Sequence, residues 1–160
     1  MKQKKPNPLP ELKAGDCLLY FTRGSISDIV IGIKTWCLSA SHIEVYAGNY
    51  MSFASRNGIG VNRYLFRRNG LAHILRPMFT FEMKGALEFF GNVRGTKYGW
   101  LDLLQFVSIN IPTRGLICSQ FADLLYRAAG VPAFNREYNA GAICPRDFLT
   151  SSAFTQIWKA

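Results

Sequence analysis

The stretch CSQFADLLYRAAG, residues 118–130, carries the clearest structural signal in the chain. Its apolar residues recur at helical spacing: Phe121, Leu124, Leu125 and Ala128. Such a stripe on one side of a helix predicts that the helix packs against the core of the domain. Gly130 and Pro132 follow the stripe, as is typical of the end of a helix. The sequence therefore predicts a helix that begins at Cys118.

Cys118 stands in the first turn of this predicted helix, and two interpretations are open for it. As a small apolar residue, it can simply belong to the core. Alternatively, the unpaired first amides of the helix and the positive end of its dipole favour the thiolate form of the side chain. A thiolate that attacks a carbonyl carbon also needs a proton carrier for the leaving group, and histidine is the usual one.

His42 is the better of the two histidines for that role. It lies in SHIEVYAG, residues 41–48, whose alternating pattern predicts a strand. Period-2 alternation puts His42, Glu44 and Tyr46 on one face of that strand. Glu44 is therefore predicted to hold the His42 ring. His73, in contrast, is interpreted as a strand or surface histidine.

The remaining pattern predicts one α+β domain behind a short arm. Strands are predicted over 16–21, 41–48, 50–55, 60–66 and 72–77, and helices over 25–37, 80–91, 99–107, 118–130 and from Pro145. A strand and a helix, then a run of strands, then helices is an order typical of the α+β class. Residues 1–13 are rich in Lys and Pro and are predicted to form a basic arm, with residues 14–160 as a single domain.

The composition narrows the kinds of partner. The 160 residues carry a formal net charge of +9, which suits nucleic acid, anionic lipid headgroups or an anionic cell-wall polymer. Four arginines stand close together in the sequence: Arg63, Arg67, Arg68 and Arg76. They predict either a solvated face or a patch for an anionic substrate or polymer.

The cysteines argue against two common structural roles. They are Cys17, Cys37, Cys118 and Cys144, and no pair has the C-x-x-C spacing. Neither a structural zinc site nor a disulfide framework is expected from this arrangement in a chain of this size. Apart from Cys118, the cysteines are interpreted as small buried hydrophobic residues.

The sequence also bears on location. Its basic start has no apolar segment behind it, so no Sec signal peptide is expected. No apolar run reaches the ~18 residues that are needed to span a bilayer. We therefore expect the protein to be cytoplasmic as synthesised. Any work outside the cell would then depend on lysis, carriage in a virion or a dedicated export system.

Several short motifs occur in an order that is similar to that of a known family. GD at 15–16 opens the first strand, SHIEVYAG supplies a histidine, KYGW at 97–100 precedes CSQ at a helix start, and CPRDF follows at 144–148. This order resembles the circularly permuted branch of the NlpC/p60 superfamily of papain-like cysteine hydrolases, from about Gly15 to Leu149. The resemblance implies a papain-like α+β fold, in which an antiparallel sheet packs against helices, including the helix of the nucleophile.

The resemblance also implies roles for individual residues. Cys118 matches the nucleophile and His42 the general base. Glu44 takes the place of the residue that orients the histidine, for which the next strand offers only Ser52 and Ser55. The residues expected to bind substrate are Tyr98, Ser119, Gln120 and Ser55. No metal and no organic cofactor is implied.

These roles imply a cysteine peptidase or amidase that cleaves an amide bond in peptidoglycan peptide or in another peptide-like substrate. A lipid acyltransferase or esterase of the same fold is the first alternative, because relatives include such enzymes. The second alternative is a non-catalytic basic module that binds nucleic acid or an anionic polymer. CSQ and YGW stand where relatives commonly have an acidic residue, which weakens the claim of full activity. The missing acidic residue after Ser119, together with the substitution of Glu44 for the usual third residue, favours this second alternative.

Overall fold

The structure, a computed structural model, describes residues 7–21, 40–98, 117–134 and 143–160. A six-stranded antiparallel sheet dominates these residues, in the order β4-β3-β2-β1-β5-β6. Its strands are β1 (Cys17–Tyr20), β2 (His42–Gly48), β3 (Met51–Arg56), β4 (Gly60–Leu65), β5 (Leu71–Pro77) and β6 (Phe154–Lys159). The helices predicted over 25–37 and 99–107 lie outside the described residues, as does Cys37.

The five strands predicted from the sequence are present as β1 to β5. The sixth strand, β6, was not predicted. It pairs with β5 at an edge of the sheet, and polar residues such as Thr155 and Gln156 interrupt its apolar pattern. An edge strand needs fewer apolar residues because much of its surface faces solvent.

The register of the central strands places three polar residues, His42, Glu44 and Ser52, on one face of the sheet. Tyr20 lies opposite His42 and Leu18 opposite Glu44 across the β1–β2 pair. Ser52 on β3 lies opposite Tyr46 on β2. Directly paired residues point to the same side of a sheet, so Ser52 shares a face with His42 and Glu44.

Each face of the sheet has a hydrophobic cluster. The larger one joins sheet residues such as Leu19, Val45 and Phe53 to Phe121 and Leu125 of a helix. The smaller cluster on the other face contains Leu18, Tyr20, Tyr46, Leu71 and Ile74. Leu9 and Leu12 from the predicted arm pack against this smaller cluster. Residues 7–13 thus contact the sheet, and the division into an arm and one domain stays a prediction.

Three helices accompany the sheet in the described residues: α1 (Met83–Val93), α2 (Cys118–Ala128) and α3 (Asp147–Thr150). All three were predicted, although α3 is only four residues long. Gly85 lets α1 pack closely against the end of α2, because a Cβ atom there would collide with the Ala128 carbonyl oxygen. In the part of the chain that the structure describes, no helix is long and apolar enough to cross a membrane.

The papain-like α+β architecture expected from the sequence is wrong, although the sheet is antiparallel as predicted. The described residues form mainly a six-stranded sheet with two 11-residue helices and one short helix. That expectation came from the order of short motifs, which does not show how many helices cover a sheet. Here β6 widens the sheet, and Leu9 and Leu12 cover part of its second face.

Candidate active site

Cys118 lies at the first residue of α2, at the N-terminus of the helix. Ile117 before it is extended, and the Ile117 amide donates a hydrogen bond to the Gln120 side-chain oxygen at 3.2 Å. The Ile117 carbonyl accepts the first helical hydrogen bond, from the Phe121 amide at 3.0 Å. The first amides of α2 are therefore directed towards the Cys118 end and have no acceptor within the helix. The residue itself is 2% exposed.

His42 connects Cys118 to Glu44. The His42 Nε2 atom lies 3.2 Å from Glu44 Oε1, and the ring also makes a side-chain hydrogen bond with Cys118. Because Nε2 faces the carboxylate, Nδ1 is the ring nitrogen available to the thiol. The His42 side chain is 13% exposed, and its ring lies 6.1 Å from the Tyr20 ring. The structure thus brings Cys118, His42 and Glu44 together in that order.

Glu44 is fully buried and is bound on both of its oxygens. Ser52 donates its hydroxyl to Oε2 at 2.5 Å. Arg56 donates to Oε1 through Nε at 3.0 Å and through Nη2 at 2.6 Å. A buried carboxylate is stable only when it is paired and hydrogen-bonded, and these donors satisfy that condition. They also fix the orientation of the carboxylate towards His42.

The pKa values of His42 and Glu44 move in opposite directions. Burial acts to lower the pKa of His42, but the hydrogen bonds and charges of Cys118 and Glu44 outweigh burial and raise that pKa to about 9. Burial acts to raise the pKa of Glu44, but His42, Ser52 and Arg56 outweigh it and lower that pKa to about 2. Near neutral pH the pair therefore favours an imidazolium next to a carboxylate.

Aromatic rings support the arginines at this site. The Arg56 guanidinium carbon lies 3.9 Å from the centre of the Tyr64 ring. The Arg67 guanidinium carbon lies 4.7 Å from the centre of the Tyr20 ring, and Arg67 Nη2 lies 4.0 Å from Glu44 Oε1. Cation–π contacts of this kind fix the guanidinium planes beside the carboxylate.

Two residues expected to bind substrate, Ser119 and Gln120, make contacts that hold the start of α2. Ser119 is buried and donates its hydroxyl to the Ile143 carbonyl at 2.6 Å. Gln120 accepts the Ile117 amide hydrogen bond. These contacts position the Cys118 end of the helix. A substrate-binding role for either residue stays a prediction.

The other two expected substrate-binding residues are placed differently. Ser55 is fully buried on β3, opposite Val61 of β4. Its neighbour Ser52, rather than Ser55, reaches the Glu44 carboxylate. Tyr98 is half-buried at the end of a described range. The roles of Ser55 and Tyr98 in substrate binding also stay predictions.

The remaining titratable candidates lie in other surroundings. His73 bonds through Nδ1 to Gln156 at 3.0 Å, and burial lowers its pKa. Cys17 is fully buried in β1, and burial raises its pKa. Burial also raises the pKa of Cys144, to about 11. His73 therefore does not take the place that Glu44 holds beside His42.

Sequence reasoning missed Tyr20, Arg56 and Arg67 as members of this site. A signal for Arg56 exists, because it follows Ser52 at an even spacing and thus shares its strand face. Placing that face next to Glu44 requires the β2–β3 register, which period-2 alternation alone does not fix. Arg67 follows β4, where periodicity makes no prediction about its side chain.

The four clustered arginines have separate partners. Arg76 forms a two-pronged ion pair with Asp16, with contacts of 2.9 and 2.8 Å. Arg68 donates to the Asn7 carbonyl at 2.9 Å. The Arg63 guanidinium lies 5.1 Å from the Phe53 ring, and Arg67 lies over Tyr20. Their closeness in sequence therefore does not correspond to one shared set of contacts.

Comparisons with known proteins give a fold and no family. Neither a protein-family model nor a curated protein matches the sequence. Among solved structures, the chain is similar to the metalloprotein YiiX from Escherichia coli O157:H7, described as a DUF1105 protein, with a TM-score of 0.66 and 13% sequence identity. The match covers 92% of this chain and 97% of that one. The likeness shows a shared fold. It gives no support to the papain-like architecture expected from the sequence.

Proposed function

We propose that the protein is a cysteine hydrolase that cleaves an amide bond in a peptide-like substrate. The observation that carries the proposal is the hydrogen-bonded series from Cys118 through His42 to Glu44, with Cys118 at a helix N-terminus. A nucleophile, a proton carrier and a buried group that orients the carrier are the three parts of such chemistry. Glu44 is held in place by Ser52 and Arg56, so the His42 ring has a fixed partner.

In the first half of the reaction, the Cys118 thiolate attacks the carbonyl carbon and forms a carbon–sulfur bond. The His42 imidazolium gives its proton to the amide nitrogen, the carbon–nitrogen bond breaks, and the amine leaves. An acyl thioester on Cys118 remains. The raised pKa of His42, about 9, favours the imidazolium that this step needs.

In the second half, a water molecule attacks the thioester carbon while neutral His42 takes its proton. The carbon–sulfur bond breaks, and the carboxylic acid leaves with the Cys118 thiolate restored. Amides at the start of α2 suit the oxyanion that forms in both halves, because they lack helical acceptors and lie at the positive end of the dipole.

The bond that is cleaved and the molecule that accepts the acyl group from Cys118 together define the reaction and its substrates. Peptide stems of cell walls are the first candidate, on the strength of the motif order from Gly15 to Leu149. If an alcohol or amine takes the place of water in the second half, the same thioester gives an acyltransferase. If the leaving group is an alcohol, the enzyme is an esterase. All three activities share the acyl-Cys118 intermediate.

The residues at this site do not fit a metal ion. Within the described parts of the chain, no three His, Cys, Asp or Glu side chains are grouped so that they could hold one. Glu44 Oε1 already receives two Arg56 N–H groups, and Arg67 lies 4.0 Å away. Positive charge beside the carboxylate opposes the approach of a cation. The description of YiiX as a metalloprotein thus gives no step in this proposal.

The acyl-enzyme provides the test. The protein is incubated with peptidoglycan-derived peptides, activated amides and activated esters, and the intact mass of each mixture is measured after acid quenching. We expect a mass increase located on Cys118, absent in Cys118→Ala and still present in Cys17→Ala. Hydrolysis that continues in Cys118→Ala would contradict the proposal. Absence of turnover and adduct, with salt-dependent binding of nucleic acid or wall polymer, would favour the non-catalytic basic module.

A further inference from the structure

Two guanidinium groups face a single carboxylate at the site. Arg56 donates two N–H groups to Glu44. Arg67 Nη2 lies 4.0 Å from the same oxygen, beyond hydrogen-bonding distance. The Arg67 Nε group is buried and has no hydrogen-bond partner among the described residues. Glu44 is thus already satisfied without Arg67, while Arg67 is left with a donor to spare.

Arg67 is held in place and still reaches solvent. Its guanidinium lies over the Tyr20 ring, and the Tyr20 hydroxyl donates to the Arg67 carbonyl at 3.1 Å. The Arg67 side chain is 39% exposed. A guanidinium that is fixed on one side and open on the other can bind a ligand without ordering a flexible chain first.

Arg67 also lies close to the proton carrier. His42 Nε2 and Arg67 Nη2 are 3.2 and 4.0 Å from the same Glu44 oxygen. The separation of His42 Nε2 and Arg67 Nη2 therefore cannot exceed the sum of these two distances. His42 bonds to Cys118 as well as to Glu44, so the imidazole ring links the thiol to the oxygen that Arg67 approaches. A group bound at Arg67 would be several bonds away from the carbonyl that Cys118 attacks.

We propose that Arg67, over Tyr20, is a subsite for an anionic oxygen group of the substrate, a carboxylate or a phosphate. This inference rests on the proposed hydrolase function, because it assigns part of the substrate of that site. An excess of guanidinium over carboxylate leaves net positive charge at Arg67, and guanidinium binds carboxylate and phosphate through parallel hydrogen bonds. A substrate with an anionic group several bonds from its scissile carbonyl is therefore preferred over its neutral analogue.

The first experiment measures this preference by hydrolysis. The p-nitrophenyl monoesters of adipic and suberic acid are compared with their methyl-capped analogues, and kcat/KM is measured for each. We expect the free acid to be preferred, and Arg67→Gln to lower the acid-to-methyl ratio by roughly tenfold, as for loss of a charge-assisted hydrogen bond. Arg67→Lys should keep part of the ratio. The control Arg68→Gln removes one positive charge from the neighbouring residue and should leave the ratio unchanged.

A second experiment needs no turnover. The Nε–H signal of Arg67 is identified in nitrogen-15 spectra of Cys118→Ala by its loss in the double variant with Arg67→Gln. Inorganic phosphate and acetate are then titrated separately. A saturating shift of this signal supports the subsite, and the tighter anion indicates whether the natural group is a phosphate or a carboxylate. No saturable shift with either anion, or an acid-to-methyl ratio equal in wild type and Arg67→Gln, overturns the inference. If no ester is hydrolysed, the hydrolase proposal is weakened and the titration alone decides the subsite.

Discussion

Cys17 and Cys118 are two buried thiols with different neighbours. Cys17 is 0% exposed in the middle of the sheet, where its main polar neighbour is Tyr126 and burial raises its pKa. Cys118 is 2% exposed, yet it begins a helix and bonds to His42. Burial is nearly the same at both positions. The two thiols therefore differ in their neighbours, since Cys118 has a helix terminus and a basic ring beside it, and they barely differ in exposure.

The largest expected difference between the two thiols is in alkylation rate. At about pH 6 we expect Cys118 to react with iodoacetamide on the order of a hundredfold faster than Cys17 or Cys144, because His42 is hydrogen-bonded to Cys118, whereas burial raises the pKa of the other two thiols. Mass spectrometry of peptides after short exposures gives the rate at each cysteine. His42→Ala should slow Cys118 selectively and leave the other rates unchanged. Equal rates at all described cysteines would remove the distinction and leave Cys118 as an ordinary core thiol.

A substitution at Glu44 should affect both catalysis and stability, because Glu44 binds His42 as well as Arg56. We expect Glu44→Gln to lower kcat roughly 10- to 100-fold, because His42 loses the partner that orients it. The same change leaves Arg56 without its carboxylate, which should destabilise the fold by about 2 kcal/mol. Turnover and urea unfolding measure the two effects separately. His73→Ala is the matched control, since His73 bonds to Gln156 instead. If His73→Ala abolished activity while Glu44→Gln did not, the assignment of Glu44 would be wrong.

Part of this site was predictable from sequence because local spacing determines it. The alternation of SHIEVYAG puts His42 and Glu44 on one strand face, and the Phe121 stripe identifies the helix that begins at Cys118. The contact between Cys118 and His42 was expected from the permuted motif order, which links distant segments. Residue spacing within one helix or strand does not show which distant segments come into contact.

The contacts of Ser52 and Arg56 and the position of β6 depend on strand register and on packing between distant segments. Hydrophobic periodicity determines neither of these. Ser52 meets Glu44 because β3 pairs with β2 in one particular register, and Arg56 follows on the same face. The strand β6 has an exposed, polar pattern, so its sequence does not predict that it widens the sheet. The papain-like architecture was expected from the order of short motifs and was wrong, because such motifs do not determine how distant segments cover a sheet.

The pH dependence of stability and of kcat/KM tests the pairing of His42 with Glu44. The pKa of His42 in the fold, about 9, lies above its ordinary value of 6.5. The stabilising contribution of the imidazolium is therefore complete below about pH 6.5 and is lost as the pH rises through about 9. We expect kcat/KM for an amide to fall above about pH 9, because the leaving nitrogen then lacks its proton donor. Glu44→Gln should move this alkaline fall to lower pH, and an unmoved profile would separate Glu44 from the titration of His42.

The smallest expected effect concerns the inert thiol. Tyr126 donates its hydroxyl to the Gly15 carbonyl at 2.9 Å and is the hydrogen-bond neighbour of Cys17. Tyr126→Phe should cost about 1 kcal/mol of stability, because a buried carbonyl loses its donor. It should leave Cys17 unreactive towards iodoacetamide in the folded protein, since burial remains and is the main reason for the raised pKa. Cys118 labelling serves as the internal control and should not change. Rapid labelling of Cys17 in Tyr126→Phe, below the denaturant concentration at which the variant unfolds, would mean that a hydrogen bond rather than burial keeps that thiol inert.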